Sequence, residues 1–206
     1  RGGGPGTRET DLLNPINMIQ KVHAVVLSGG SAFGLESTCG VSKYLEENNI
    51  GFDVGVAKVP IVVGAVLFDL GVGNPKSRPN IEMGYRACQV ASDTKLNQGN
   101  FGAGCGATVG KIKGIEYAMK GGIGSHSIKL PNGLVVSALV AVNAFGDVYE
   151  NGKVIAGVMD DEKKNVLNSY ELMKNGVNKG GFSIDNTTIG IVATNAKLDK
   201  AGCKKV

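Results

Sequence analysis

Tryptophan is absent from this chain, and aromatic residues make up only 5% of it. Basic residues are spread along the sequence without a block of five or six like charges and without interleaved aromatics, so the usual footprint of a nucleic-acid surface is missing. Histidine occurs twice, at His23 and His126, which excludes a multi-histidine metal centre and limits catalytic triads. Cys39, Cys88, Cys105 and Cys203 lie far apart, with no CxxC or Cys/His ligand spacing, so no metal site follows. Scattered cysteines in a chain of this size read as reduced thiols and point to a cytoplasmic setting. No run of 18 apolar residues exists to span a membrane, and the opening "RGGGPGTRETDLL" lacks the pattern of a signal peptide. Three glycine-containing signatures are also missing: GxGxxG and GxxxxGK[ST] for nucleotides, and the GxSxG elbow of serine hydrolases.

What the chain has is glycine. Its 32 glycines among 206 residues are about twice the usual share. They fall between apolar runs with no strict period, which speaks for many tight turns rather than a fibrous or low-complexity chain. With 42% hydrophobic and 19% charged residues the composition is that of a globular protein, and the length suits a single domain covering 1–206. The sequence lacks an initiator methionine, and "KLDKAGCKKV" stops where a helix is starting, so the domain is expected to be incomplete at both ends.

Val22 to Leu27 reads as a strand, followed by a Ser-Gly-Gly turn, a helix ending near Asn49, and another short strand. Val59 to Gly73 is too apolar for a surface strand. "PNIEMGYRACQVAS" has the spacing of a helix. In "GNFGAGCGATVGK" the glycines alternate with small residues, so this backbone must pass close to something. "LVVSALVAVNAFGDVYENGKVIAG" reads as a hairpin: a long central strand, the Glu150-Asn151-Gly152 turn and a short return. A weak helix around Lys164 to Lys174 and a flexible "NGVNKGG" tail precede a final strand, Thr187 to Thr194. The irregular alternation predicts a layered α/β or α+β domain rather than a doubly wound parallel sheet.

Most candidate sites have plain explanations. "LSGGSAFG" follows a strand and opens a helix, as an anion-binding loop does, but no acidic residue stands at the distance needed to hold a ribose, and a tight turn with close helix–strand packing is favoured. His23 lies in an apolar run and reads as a satisfied core residue; His126, in "GSHS", reads as a solvated loop residue. Asn186-Thr187-Thr188 stands where a polar stretch meets the final strand. A threonine hydroxyl becomes a nucleophile when a base takes its proton, and the free α-amine of the threonine itself is such a base once the bond before it is cut. Its ordinary pKa of about 7.7–8.0 leaves it partly unprotonated at neutral pH. The polar segment before Asn186 would then swing away after cleavage. The same residues also spell a glycosylation sequon and an ordinary turn exit, and the stretch alone does not choose among these readings.

Taken together, "RGGGPGTRETDLL", "VHAVVLSGGSAFGLE", "GNFGAGCGATVGK", "KGGIGSHS", "ALVAVNAFGDV" and "NTTIGIVATNAKL" resemble the peptidase family called P1 or S58, in the superfamily of the L-aminopeptidase/D-esterase DmpA, ornithine acetyltransferase, the β-aminopeptidases and the endo-type 6-aminohexanoate (nylon) oligomer hydrolases. The resemblance covers nearly the whole chain. It implies an αββα sandwich of the N-terminal-nucleophile type, made as a precursor that cuts itself into a large and a small chain. The cut would fall between Asn186 and Thr187, with Thr187 as nucleophile and Thr188 on the opposite face of the strand. Asn143 would donate to the oxyanion, and Lys111 would lie near the nucleophile and lower its amine pKa. Phe68, in "VLFDL", stands where some relatives carry an oxyanion-binding tyrosine, so a hydroxyl donor is missing from this possible substrate pocket. Further acidic or Ser/Glu residues would come from beyond Val206.

The resulting expectation is a self-processing threonine hydrolase of small peptide or linear amide substrates, by default an aminopeptidase. Nylon-oligomer hydrolysis is the close alternative; acetyl transfer and a non-catalytic scaffold are the others. No cofactor, metal, nucleic acid or membrane is expected. The resemblance further implies a homo-oligomer, a tetramer or larger, of processed pairs, and an Asn143→Ala change is expected to spare folding while lowering turnover.

Overall fold

The computed structural model describes residues 4–94, 96–177 and 186–206. In chain order the strands are β1 (Gly6–Arg8), β2 (Ala24–Ser28), β3 (Phe52–Asp53), β4 (Lys58–Val59), β5 (Val62–Val66), β6 (Thr108–Val109), β7 (Met119–Lys120), β8 (Gly122–Lys129), β9 (Val135–Asn143), β10 (Val148–Glu150), β11 (Lys153–Ala156) and β12 (Thr187–Thr194). The helices are α1 (Ser37–Glu47), α2 (Ile81–Gln89), α3 (Ser169–Lys174) and α4 (Lys200–Lys205), with short 3-10 turns at Ser31–Glu36 and Gly102–Gly104 among the connections.

The unbroken apolar run around Val62 is explained by its place. β5 lies between β1, antiparallel to it, and β2, parallel to it. Helices cover one face of this sheet and a second sheet covers the other, so neither face needs polar side chains. Val41 and Leu45 of α1 pack on Val62, Ala24 and Val26, with Cys88 of α2 beside them. The two helices touch backbone to backbone. A Cβ on Gly40 would stand 1.9 Å from the Ile81 carbonyl oxygen, and one on Gly84 would stand 1.9 Å from that of Ser37. Asn80 starts α2 by accepting from the Met83 N–H at 2.9 Å, the side-chain bond that sets a helix N-terminus.

The second sheet has β9 at its centre, antiparallel to both β8 and β12. Leu27 and Leu67 meet Ala103, Ala107, Ile123, Ala141 and Ile189 in a core that fills the space between the sheets. The described residues therefore stack as helices, sheet and sheet, three layers of the expected sandwich. On the outward face of the second sheet Ile128, Val136 and Val192 are exposed. No helix among the described residues is long and apolar enough to cross a membrane.

Three local expectations need correction. The long strand does not run into the Glu150-Asn151-Gly152 turn; β9 ends at Asn143, and that turn joins only β10 to β11, with Asn151 and Gly152 at φ of 50° and 77°. The reason lies just past Asn143, where the Phe145 and Gly146 carbonyls are taken by the N–H groups of Lys111 and Gly110, each at 2.8 Å, which draws the chain out of the sheet. His126 is exposed as expected, but it sits within β8 rather than in a loop. The helix expected around Lys164 to Lys174 is confined to α3, because residues 160–165 fold into a turn in which Asp160 accepts from Lys164 N–H and Asn165 Nδ2. Most of the "NGVNKGG" tail, and the segment expected to swing away from Asn186, lie outside the described residues.

Candidate active site

The register of β12 on β9 brings two of the expected residues together. Thr187, the first residue of β12, is paired directly with Asn143, the last of β9. Residues opposite one another in an antiparallel pair point to the same face, with Cβ atoms about 4.5–5.5 Å apart. Thr187, Ile189 and Ile191 are the less exposed set of their strand, and Thr188 is exposed on the other face. Thr187 therefore shares a face with Asn143 and Ala141, which line the core between the sheets, and Thr188 does not. Asn186 is exposed immediately before the strand.

Asn143 is fully buried, and its amide is held from several sides. Its Oδ1 accepts from Lys111 Nζ at 2.8 Å, from the Thr108 N–H at 3.0 Å and from the Thr108 hydroxyl at 3.3 Å. Its Nδ2 donates to the Phe68 carbonyl at 2.6 Å. Three donors on one oxygen leave no ambiguity about which end of the amide is which. Lys111 is itself only 4% exposed, and its ammonium also donates to the Asn143 carbonyl at 3.1 Å. A lysine that passes for a surface residue in the sequence is thus drawn inside by the Gly110 turn. Gly110 has φ +74°, and a Cβ there would fall 2.0 Å from the Gly157–Val158 peptide, so only glycine lets the chain turn at this point. The cation on Oδ1 polarises the amide and strengthens Nδ2 as a donor.

Phe68 enters this arrangement through its backbone carbonyl. It is not among the residues lining the neighbouring cavity of about 760 Å³, where Asp69 and Leu70 stand instead. The glycine turn after β2 is closed from within, because the Gly30 N–H donates to Asp69 Oδ1 at 2.7 Å. That agrees with the tight-turn reading of "LSGGSAFG". His23 is satisfied, its Nδ1 accepting from the Ile61 N–H at 3.0 Å. The four cysteines are free thiols, and no cluster of His, Cys, Asp or Glu among the described residues could hold a metal ion.

Two residues of this region went unnoticed in the sequence. Thr108 sits in the same "GATVGK" as Lys111, and Asp69 is the lone charge inside an apolar run; only the second offered a signal.

Fold and site together define a layered protein in which two sheets close on a buried asparagine–lysine pair at the first residue of a strand. The chain belongs to peptidase family S58, whose model matches residues 1–206. It is 44% identical over its whole length to an uncharacterized aminopeptidase of Mycobacterium leprae, 58% of which is covered. It is 27% identical, over 85% of its length and 50% of the relative's, to a 6-aminohexanoate-oligomer endohydrolase of a Kocuria species. A β-aminopeptidase of a Burkholderia species shares the fold with a TM-score of 0.57 at 18% identity, over 98% of this chain and 50% of that one. The chain thus spans little more than half the length of the relatives it matches.

Proposed function

We propose that this chain carries the reacting centre of an amide hydrolase, by default an aminopeptidase, in which Thr187 becomes a chain start and acts as nucleophile. One observation carries the reading: the first residue of β12 is a threonine set directly opposite a buried asparagine whose amide is polarised by a buried lysine. In self-processing the Thr187 hydroxyl attacks the Asn186 carbonyl, the acyl group moves from nitrogen to oxygen, and water hydrolyses the ester. The Asn186 carboxylate and the Thr187 amine are the products. The freed amine then takes the hydroxyl proton when a substrate amide is attacked, and the Asn143 Nδ2 donor stabilises the oxyanion. Lys111 orients that donor and, as a nearby cation, favours the neutral form of the amine. Without a hydroxyl at Phe68, the oxyanion relies on the remaining donors.

The aminopeptidase reading draws on the 44% relative, and hydrolysis of 6-aminohexanoate oligomers is the second reading, favoured by the relatives of that name. Assembly of processed pairs into a tetramer or larger belongs to the same proposal. Intact mass spectrometry of the purified protein is expected to show a fragment starting at Thr187, and light scattering an oligomer containing both pieces. Thr187→Ala should remain uncut and lose turnover of aminoacyl amides and 6-aminohexanoate oligomers. An active protein that stays whole would reject the nucleophile.

A further inference from the structure

Asp147, in the loop between β9 and β10, joins three separate segments through one carboxylate. Its Oδ1 accepts from the Val158 N–H at 3.3 Å and from the Ser169 hydroxyl at 2.6 Å, and its Oδ2 accepts from the Ser169 N–H at 2.6 Å. Val158 is fully buried and Ser169 nearly so. The fit is tight, for a Cβ on Gly157 would stand 2.1 Å from Oδ1. No step of the proposed reaction uses this carboxylate.

The segments it joins are the ones that place Lys111. Gly146, the residue before Asp147, takes the Gly110 N–H at 2.8 Å, and Phe145 takes that of Lys111 at 2.8 Å. On its other side Gly110 rests on the Gly157–Val158 peptide, from which its Cβ would be 2.0 Å. Gly110, Gly146, Asp147 and Val158 therefore close a ring of two hydrogen bonds and one backbone contact. Only the Asp147 bond in that ring is made by a side chain. A glycine reaches many backbone conformations at little cost, so the φ of +74° at Gly110 has to be fixed by its neighbours. That turn sends Lys111 inward and sets its ammonium 2.8 Å from Asn143 Oδ1.

We propose that Asp147 is a positioning residue for the reaction: by tying the loop after β9 to Val158 it keeps the ring closed and fixes where the Lys111 ammonium meets the Asn143 amide. Its bonds to Ser169 secure the start of α3 and lie outside the ring. Loss of the tie to Val158 loosens the donor that faces the oxyanion, an interaction made in the transition state, and so lowers kcat with little effect on KM. This inference rests on the proposed function for its turnover arm but not for its exchange arm.

Two variants of the full chain separate the two sets of bonds. In Asp147→Asn the amide oxygen can take the Ser169 N–H and the NH2 can donate to the Ser169 hydroxyl, which keeps the α3 contacts and turns a donor toward the Val158 N–H. Ser169→Ala does the reverse, removing a bond to α3 and sparing the ring. In hydrogen exchange followed by NMR, Asp147→Asn is expected to speed exchange of the Gly110 and Lys111 amides about tenfold or more while Leu139 to Val142 keep their rates, and Ser169→Ala to leave Gly110 and Lys111 unchanged. On whichever of the aminoacyl amides and 6-aminohexanoate oligomers the wild type turns over faster, Asp147→Asn is expected to lower kcat about tenfold with KM within about twofold, and Ser169→Ala to change neither. Unchanged exchange at Gly110 and Lys111, exchange that rises equally along β9, unchanged kcat, or an equal loss of kcat in Ser169→Ala would overturn the inference and leave the hydrolase reading intact. Faster exchange at those two amides, in a protein whose wild type hydrolyses no amide, would uphold the brace and overturn the proposed function. If Asp147→Asn does not fold, native-state exchange of the wild type across a urea series decides: Gly110, Lys111 and Val158 are expected to open together, and separate opening overturns the inference.

Discussion

Asn143 was legible as an asparagine closing an apolar strand, and the family resemblance assigned it a catalytic donor. Neither indicated that its side chain joins Lys111, Thr108 and the residue after Leu67 in one buried knot. The knot changes what its removal should do. Asn143→Ala would remove the side-chain oxygen that the Lys111 ammonium and the Thr108 N–H share and the amide that donates to the Phe68 carbonyl, at a cost of about 3 kcal/mol or more. The variant is therefore expected to melt several degrees lower in calorimetry as well as to lose about 10²–10³ in turnover where it is still folded. Unchanged melting would show that water replaces the amide; unchanged turnover would remove Asn143 from the chemistry.

Among elements, the α1–α2 pair and β12 are placed by different forces. The helical periodicity of α2 was readable because one face had to be apolar, and its start was set by Asn80. The crossing of the two helices was not readable, because it depends on Gly40 and Gly84 meeting the partner's carbonyls, and a glycine inside a helix usually signals only lower propensity. Gly84→Ala would gain about 1 kcal/mol of propensity but place a methyl 1.9 Å from the Ser37 carbonyl oxygen. Overpacking of this kind costs about 1–3 kcal/mol or more, so the variant is expected to be less stable in urea titration. A stabilised variant would show that the helices separate freely. For β12, reading the stretch as a strand already separated Thr187 from Thr188. The partner strand was not visible, since a period of two names a face and not a neighbour.

Across the whole molecule, protection should follow the layers. β9 is hydrogen-bonded on both sides, and Ala141 and Asn143 are fully buried. β3 and β4 form a separate two-stranded ribbon whose Phe52, Asp53 and Val59 are exposed. Hydrogen exchange is expected to be slowest at Leu139 to Asn143 and fast at Phe52, Asp53 and Val59. Equal rates would mean that the two sheets do not share one cooperative core. The same layering explains part of the glycine content: at Gly29, Gly104, Gly106 and Gly110 an added Cβ would stand 2.3, 2.5, 2.2 and 2.0 Å from another backbone or from Asp69, where it has no room.

The sequence by itself determined the types of most long elements, the family and the threonine that opens the last strand, because these follow from periodicity, turn chemistry and long local motifs. Only the tertiary structure decided that Lys111 is buried on Asn143, that Phe68 contributes its carbonyl while Asp69 faces the cavity, and that Thr187 stands opposite Asn143. Each of these is a contact between segments dozens of residues apart. Such contacts are set by strand register, which leaves no mark on any single stretch of chain, and by the close approach of glycine backbones, which a glycine-rich stretch announces without naming its partner.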